Sequence, residues 1–146
     1  MPPPKQNSSA SSPRNRRLQW LVTGTYALLL LLGSVLPGSK LPSIPDWTTL
    51  FSPDKVAHFG AYGLFALLLS VFFSERRTRW AILLAVFVAA LFGAAMEILQ
   101  GISGTGRSFD PVDMVANLLG AIVGGLTFLL YQLLKTRLST TVEPNE

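Results

Sequence analysis

Polar side chains occur in this sequence at the ends of long apolar runs, where they are unusual. They follow the start of the second run, close the third, and open the fourth. The set comprises Asp54, Lys55, His58, Tyr62, Glu97, Gln100, Arg107, Asp113 and Asn117. An ionisable residue inside an apolar membrane-spanning run is costly and therefore counts as a functional hypothesis. Carboxylates, an imidazole and a guanidinium together could bind a polar ligand or transfer protons.

The spacing of these residues gives each predicted helix one polar face. Residues three or four positions apart lie on the same side of an α-helix. Such pairs are Asp54–His58, His58–Tyr62, Glu97–Gln100 and Asp113–Asn117. We therefore expect the polar faces to meet in a packed interior rather than to contact lipid.

Glu97 is the member of the set that most needs partners. It lies about 5 Å inside the end of its run, at a helical rise of about 1.5 Å per residue. A charged carboxylate at a helix centre costs roughly 2.5–3.5 kcal/mol, and less near an edge. One interhelical hydrogen bond returns only about 0.6 kcal/mol. We predict that Glu97 pairs with Arg107 or His58.

Several of these residues also have a purely structural explanation. Asp110 precedes Pro111 and would serve as a helix cap. Asp54 and Asp113 would favour the positive ends of their helices. His58 alone could be a hydrogen-bonded core histidine. The sequence leaves these explanations open.

Small residues extend the polar faces toward the middle of the bundle. Gly93 lies on the third predicted helix, and Ala116, Gly120 and Gly124 form a ladder on the fourth. Small residues at such spacing let two membrane helices approach closely. We interpret Gly93, Gly120 and Gly124 as packing residues without chemistry of their own.

The elements that must position these residues are four membrane-spanning helices. Only 14% of the 146 residues are charged, and four apolar runs reach the roughly 20 residues needed to cross a bilayer. The predicted helices cover about 18–36, 53–73, 80–100 and 111–134, with caps at Ser52-Pro53 and Asp110-Pro111. We therefore predict an all-α fold, a polytopic four-transmembrane-helix bundle whose membrane domain spans 18–138.

The distribution of basic residues predicts how the bundle is oriented. They precede the first span, fill the second connection and follow the fourth span, as Arg14, Arg16, Arg17, Arg76, Arg77, Arg79, Lys135 and Arg137. Basic residues concentrate in cytoplasmic loops, so both termini are predicted to be cytoplasmic and the polar set external. Residues 1–17 and 139–146 are predicted to be disordered tails. The net charge of +4 is thus a topology signal, and no nucleic-acid partner is predicted.

Several kinds of chemistry lack the residues they need. The chain has no cysteine and one histidine, which excludes disulfides, thiolate catalysis and zinc–thiolate sites. It has no serine-nucleophile motif and no HExxH. A metal site using His58 with Glu97 and Asp113 would be an alternative, but no diagnostic spacing indicates one. We predict no metal and no cofactor.

The same residues carry a resemblance to a known family. Asp54-Lys55-x-x-His58-x-x-x-Tyr62 and Glu97-x-x-Gln100, followed by Arg107, Asp113, Asn117, Gly120 and Gly124, resemble the VanZ-like family of small bacterial membrane proteins. The match covers about residues 20–134. Where the family often has Pro-Gly before the arginine, this chain has the glycine-rich segment GISGTG.

The resemblance implies a multi-pass protein of the bacterial plasma membrane with a role at the cell envelope. The family's namesake is linked to low-level resistance to the glycopeptide teicoplanin, but one fold can serve several functions. The expected partners are the lipid bilayer and, at the polar set, a lipid-linked cell-wall precursor or a glycopeptide. The oligomeric state is not predicted.

Three functions compete on this evidence. The first is a binding protein whose external polar pocket takes an anionic or polar ligand beside Lys55 and Arg107, near two helix N-termini. The second is a membrane enzyme in which His58 and Glu97 act as acid and base. The third is a proton-coupled transporter acting through Glu97 as an oligomer, which we rank lowest because Glu97 lies near one end of its helix and not at the midplane. Beside these functions stands a purely structural role, in which the polar set only holds the helices together. We favour the first, without enzymatic activity.

Overall fold

The computed structural model describes residues 13–40, 52–74 and 78–141. Four long helices dominate: α1 Pro13–Val35, α2 Pro53–Phe72, α3 Thr78–Ile102 and α4 Pro111–Thr141. A short 3₁₀ turn, Gly38–Lys40, follows α1, and the described ranges contain no β-strand. All four helices are long and apolar enough to cross a membrane. The predicted all-α, four-helix membrane fold is confirmed, and the chain is a multi-pass membrane protein.

The first and last helices of the chain extend further than the sequence predicts. α1 begins at Pro13, so residues 13–17 are helical rather than part of a disordered tail. α4 continues to Thr141, past the predicted domain boundary at 138. A helix needs apolar residues only where it crosses lipid, and its internal hydrogen bonds persist beyond that layer because basic and polar residues tolerate helix well. The apolar run therefore shows where the helix crosses the lipid layer, but it does not show where the helix ends.

Some sequence predictions concern positions outside the described residues. These are the tail segments 1–12 and 142–146, and Arg76 and Arg77 in the second connection. The orientation of the termini stays a prediction.

The helices that carry the polar set begin with side-chain caps. The Ser52 side chain accepts a hydrogen bond from the Lys55 backbone N–H, and Pro53 follows in the first turn of α2. The Asp110 Oδ1 accepts from the Val112 N–H at 2.8 Å before α4. Both predicted caps are present. They fix where α2 and α4 start, and so how far each polar side chain lies from the helix end.

α2 lies at the centre of the bundle, against α4, α3 and α1. α1 contacts α2 and α3 but not α4 within the described ranges. The buried apolar core is formed mainly by α2 and α3, through residues such as Tyr62, Phe65, Ala66, Ala85 and Ala89. Since α1 is little buried, it covers one side of the other three helices.

The closest approach in the bundle is between α2 and α4, and glycines make it possible. A Cβ added at Gly120 would overlap the Phe59 carbonyl oxygen, and one at Gly124 would overlap the Gly63 carbonyl oxygen. A Cβ on Gly63 would lie 3.1 Å from the Gly120 oxygen. Backbone therefore packs on backbone at this crossing. Gly63 was not identified from the sequence as a packing residue, because it is not part of a glycine ladder.

Gly93 provides a second close approach, between α3 and the polar residues of its neighbours. A Cβ at Gly93 would lie 3.0 Å from the Asn117 Cβ and from the Tyr62 Cε1. A side chain here would displace two members of the polar set. Gly93 thus lets α3 close over the side chains of α2 and α4.

Replacing Gly124 by Ala should force α2 and α4 apart, because the added methyl group would overlap backbone that cannot rotate away. We expect a loss of about 1–3 kcal/mol in the free energy of unfolding, the usual cost of overpacking. Unfolding in mixed detergent micelles, followed by circular dichroism, would measure it.

Gly60→Ala is the matched control, since a Cβ at Gly60 of α2 has no atom within 4 Å. It should leave stability unchanged or raise it slightly, because alanine favours helix over glycine. Equal losses in the two variants would contradict the backbone-contact explanation.

Candidate functional site

The polar residues gather at one end of the bundle. The N-terminal turns of α2 and α4, the C-terminal turn of α3 and the loop between α3 and α4 all meet there. Five members of the set are almost fully buried, with Glu97 and Asn117 each 1% exposed, Tyr62 and Gln100 each 3%, and Asp113 4%. The packing explains how they avoid lipid.

Lys55 joins the first turns of α2 and α4. Its ammonium group lies 3.0 Å from the Asp110 Oδ2 and 3.4 Å from the Asp113 Oδ1. The Asp113 side chain is only 5% exposed, so this carboxylate has little access to water and depends on protein partners. Lys55 therefore acts as a link between helices, which the sequence did not predict.

Asp110 does more than cap α4. Besides accepting from Val112, it pairs with Lys55. The Val112 backbone N–H first, and then the Lys55 ammonium, lower the pKa of the Asp110 carboxyl below its ordinary value. Sequence reasoning assigned it only a capping role, because an ion pair between residues 55 positions apart leaves no local signal.

His58 lies between two carboxylates and an amide. Its Nδ1 is 3.0 Å from the Asn117 Oδ1, and its Nε2 is 3.9 Å from both the Asp54 Oδ1 and the Asp113 Oδ2. Its ring is parallel to that of Tyr62, with centroids 6.4 Å apart. An amide oxygen only accepts hydrogen bonds, so Nδ1 donates in this contact and Nε2 faces the two carboxylates.

Glu97 has a different partner from the one predicted. Its Oε1 accepts a 2.7 Å hydrogen bond from the Asp110 backbone N–H, and its buried Oε2 has no hydrogen-bond partner. The described residues include no ion pair between Glu97 and Arg107 or His58, so that prediction is wrong. The loop folds back over the end of α3, and a backbone N–H reaches the carboxylate without desolvating a cation.

The turn that folds the loop back depends on two glycines with positive φ, Gly104 at 66° and Gly106 at 75°. Other residues rarely adopt this left-handed conformation. The Ser103 hydroxyl lies 2.8 Å from that of Thr105 and 3.0 Å from the Gln100 carbonyl oxygen. This turn geometry places both Arg107 and Asp110 at the site.

Arg107 extends toward α1 and α2 instead of toward Glu97. Its Nη1 donates to the Gly33 carbonyl oxygen at 3.4 Å, and its Nη2 lies 3.6 Å from the Asp54 Oδ1. Both contacts are long, whereas a strong charge-assisted bond measures about 2.7–2.9 Å. The guanidinium therefore retains donors that a ligand could use.

A cavity of about 240 Å³ opens beside these groups. Its polar lining includes Asp54, His58, Tyr62, Gln100 and Arg107, and its apolar lining comes largely from α1 and α2, through Leu29, Leu30, Gly33, Ala57 and Ala61. Lys55, Glu97, Asp113 and Asn117 do not line it and lie behind or beside it. The contribution of α1 was missed, although Gly33-Ser34 interrupts its leucine run.

Together these features define a class: a four-helix, multi-pass membrane protein with a buried polar cluster and an adjoining cavity at one bundle end. The chain belongs to the VanZ/LLP1 family, whose model matches residues 3–134. The predicted VanZ-like resemblance is confirmed.

Comparison with curated proteins gives a relative from the yeast Schizosaccharomyces pombe, described only as an uncharacterized protein. It is 39% identical over 111 residues, which cover 75% of this chain and 64% of the relative. The chain thus spans less than two thirds of that protein. No solved structure matches the chain. Because this relative is fungal, similarity alone does not place the chain in bacteria.

Replacing Glu97 should distinguish its hydrogen bond from its charge. Glu97→Gln keeps an oxygen that can accept from Asp110, so stability should change by less than about 1 kcal/mol. Glu97→Ala removes the acceptor and leaves the partly buried Asp110 N–H without this partner, which should cost about 1–3 kcal/mol. Reversible unfolding in mixed micelles would measure both. A Gln variant as unstable as the Ala variant would show that the charge, not the hydrogen bond, dominates.

Replacing Asp110 should separate capping from ion pairing. Asp110→Asn keeps a good cap but loses the pair with Lys55, and should cost at most about 1 kcal/mol because this carboxylate is partly exposed. Asp110→Ala loses both and should cost about 1 kcal/mol more. Thermal unfolding in detergent would give the two values.

The stability advantage of the native chain over Asp110→Asn should depend on pH. The pKa of Asp110 is lowered in the folded protein, so the ionised carboxyl stabilises it fully above the ordinary aspartate pKa. The advantage should shrink as the pH falls through the lowered value. Other acidic groups titrate in both proteins, so only the difference is diagnostic. A difference that is constant with pH would contradict the ion pair.

Proposed function

We propose that this chain binds the polar head of an amphipathic ligand in the cavity at its polar end. The ligand class is a lipid-linked envelope precursor with an anionic head, and a glycopeptide is the second member to test. The observation that carries the proposal is the mixed lining of the cavity, which combines leucines of α1 with His58 and Arg107. A lipid with a charged head offers both an apolar part and a polar part to such a lining.

Arg107 is the principal ligand-binding residue in this proposal. Its side chain is 14% exposed, and its two contacts with the protein are long. Its planar guanidinium group can donate two parallel hydrogen bonds to phosphate or carboxylate oxygens. Gln100 and His58 line the same cavity and would supply further hydrogen bonds. The site would therefore prefer a head that offers several acceptor oxygens.

Lys55 is not a ligand-binding residue in this proposal, although the sequence placed it beside the expected ligand pocket. Its ammonium group is already paired with Asp110 and Asp113, and it does not line the cavity. Binding a ligand anion would require breaking those pairs. Lys55 instead holds α2 and α4 in place around the cavity.

The cell-envelope role follows from orientation. The basic residues Arg14, Arg16 and Arg17 precede α1's apolar part, and Lys135 and Arg137 lie near the end of α4. Basic residues favour the cytoplasmic side, which would turn the cavity outward. In a bacterial plasma membrane the cavity would face lipid-linked cell-wall precursors, and occupancy could alter glycopeptide susceptibility.

The alternative of a membrane enzyme with a His58–Glu97 acid–base pair has less support. Glu97 makes its hydrogen bond to Asp110 and is 1% exposed, so a substrate in the cavity would not reach it. A purely structural role is the remaining competitor. It predicts that variants at the cavity change stability but that the native chain binds no head group.

Replacing Arg107 should test the proposal directly. Purified chain in a mild detergent would be titrated with a polyprenyl phosphate, and separately with teicoplanin, by microscale thermophoresis. Arg107→Ala should weaken polyprenyl phosphate binding about tenfold or more, because a hydrogen bond to a charged group contributes about 1.5–3 kcal/mol. Raised salt should weaken the native binding too.

Arg79→Ala is the matched control, since Arg79 lies beside Trp80 in the first turn of α3, at the opposite end of the bundle. It removes the same charge and should leave binding unchanged. The proposal fails if the native chain does not bind the phosphate, or if the two variants bind equally well. Antibiotic susceptibility of cells with and without the gene would then connect binding to the envelope.

A further inference from the structure

The strongest further feature is a cluster of three side chains on α2 and α4, two of which also line the cavity. One ring nitrogen of His58 and one carboxylate oxygen each from Asp54 and Asp113 lie within 4.8 Å of one another. We propose that these residues bind a divalent transition-metal cation such as Zn²⁺ or Mn²⁺. The ion would have three protein ligands and a remaining position toward the cavity, which Asp54 and His58 line.

The distances suit ligands of one ion better than hydrogen bonds. The His58 Nε2 lies 3.9 Å from an oxygen of Asp54 and 3.9 Å from an oxygen of Asp113. Hydrogen bonds between such atoms require about 2.7–3.2 Å. Two ligands that are each about 2.0–2.2 Å from one ion are themselves separated by about 3–4 Å. Small side-chain rotations would therefore complete the coordination.

His58 is held as a metal ligand usually is. Ligating histidines almost always donate the second ring N–H to a neighbouring oxygen, which fixes the tautomer and the ring orientation. Here Nδ1 donates to the Asn117 Oδ1 at 3.0 Å, and Asn117 is 1% exposed. Nε2 thereby faces Asp54 and Asp113, on the side where the proposed ion would lie.

The charges around the cluster also favour a dication. Its neighbourhood contains the carboxylates of Asp54, Glu97, Asp110 and Asp113, against the cations Lys55 and Arg107. With all carboxylates ionised and the imidazole neutral, the negative charges exceed the positive by two. The Glu97 Oε2 is buried without a hydrogen-bond partner. Excess negative charge is costly where carboxylates are buried, as at Glu97 and Asp113, and a bound dication would balance it.

The ligand types restrict which ion fits. Imidazole nitrogen suits zinc, iron, nickel and copper, whereas carboxylates suit manganese and magnesium. One nitrogen and two oxygens therefore point to Zn²⁺ or Mn²⁺ rather than to Ca²⁺, which prefers six to eight oxygens. Sequence spacing did not indicate the site, because Asp113 comes from another helix and no local motif joins it to His58.

The chain itself makes the experiment specific. It has one histidine and no cysteine, so His58 is the sole source of imidazole ligation in a chain purified without a histidine tag. Protein treated with EDTA would be titrated with Zn²⁺ against a chromogenic chelator, and with Co²⁺ to record its d–d absorption. We expect saturable binding of one ion per chain, with a Co²⁺ spectrum that indicates nitrogen and oxygen ligands.

Variants should separate the ligands from their neighbours. His58→Ala and Asp113→Asn should abolish saturable binding. Asn117→Ala should weaken it about 10- to 100-fold, as loss of a partner that orients a ligand does. Glu97→Gln removes a nearby carboxylate that is not a ligand, and should weaken binding far less than Asp113→Asn. Equal losses in Glu97→Gln and Asp113→Asn would show that the ligand set is wrong.

Stability measurements guard against variants that fail to fold. Zn²⁺ should raise the unfolding temperature of the native chain, because an ion that binds only the folded state stabilises it. It should not raise that of a helical, monodisperse His58→Ala protein. No shift and no saturable binding in the native chain would overturn the metal site.

The metal site and the head-group site fail independently. Arg107→Ala should lose polyprenyl phosphate binding but keep Zn²⁺ binding, because its guanidinium contacts Asp54 without being a ligand. Loss of Zn²⁺ binding in Arg107→Ala would contradict the proposed ligand set. Metal binding without head-group binding would leave this inference standing and remove the proposed function.

Discussion

The pairing of Lys55 with Asp110 and Asp113 is the interaction on which the polar end of the bundle depends. α2 and α4 both begin at this end, so the positive ends of two helix dipoles lie side by side. The carboxylates at the start of α4 compensate for this, and the Lys55 ammonium of α2 completes the link at 3.0 and 3.4 Å. Removing Lys55 would leave the buried Asp113 carboxylate without this cation, so the three residues form one unit.

This ion-paired unit also depends on a second contact between α2 and α4, closer to the middle of the bundle. Gly120 and Gly124 of α4 bring their backbone against the carbonyl groups of Phe59 and Gly63 on α2. The close crossing keeps water and lipid away from the short span between the ion pairs and the core. In that space His58 reaches Asn117 at 3.0 Å. The glycines therefore have no chemistry of their own, yet they determine which polar groups can meet.

The loop between α3 and α4 brings three different chemical groups to the polar end of the bundle. It presents a backbone N–H to Glu97, a carboxylate to Lys55 and a guanidinium to Asp54. Glu97 thus takes its one hydrogen bond from backbone, at Oε1, while Arg107 lines the cavity beside α1. The same arrangement leaves Asp54, His58 and Asp113 facing one another. The proposed head-group site and metal site therefore adjoin and share His58, while Arg107 belongs only to the first and Asp113 only to the second.

The sequence by itself determined the four spans, the caps at Ser52 and Asp110, and the grouping of polar residues at one bundle end. These features follow from hydrophobic length, from local capping chemistry and from helical spacing, all of which act over a few residues. Only the tertiary structure decided the partners: Lys55 with Asp110, Glu97 with a backbone N–H, and Gly63 against Gly124. Such contacts depend on helix order, on rotation about each helix axis and on the path of a glycine turn. Local sequence does not specify those quantities, because many arrangements bury the same faces.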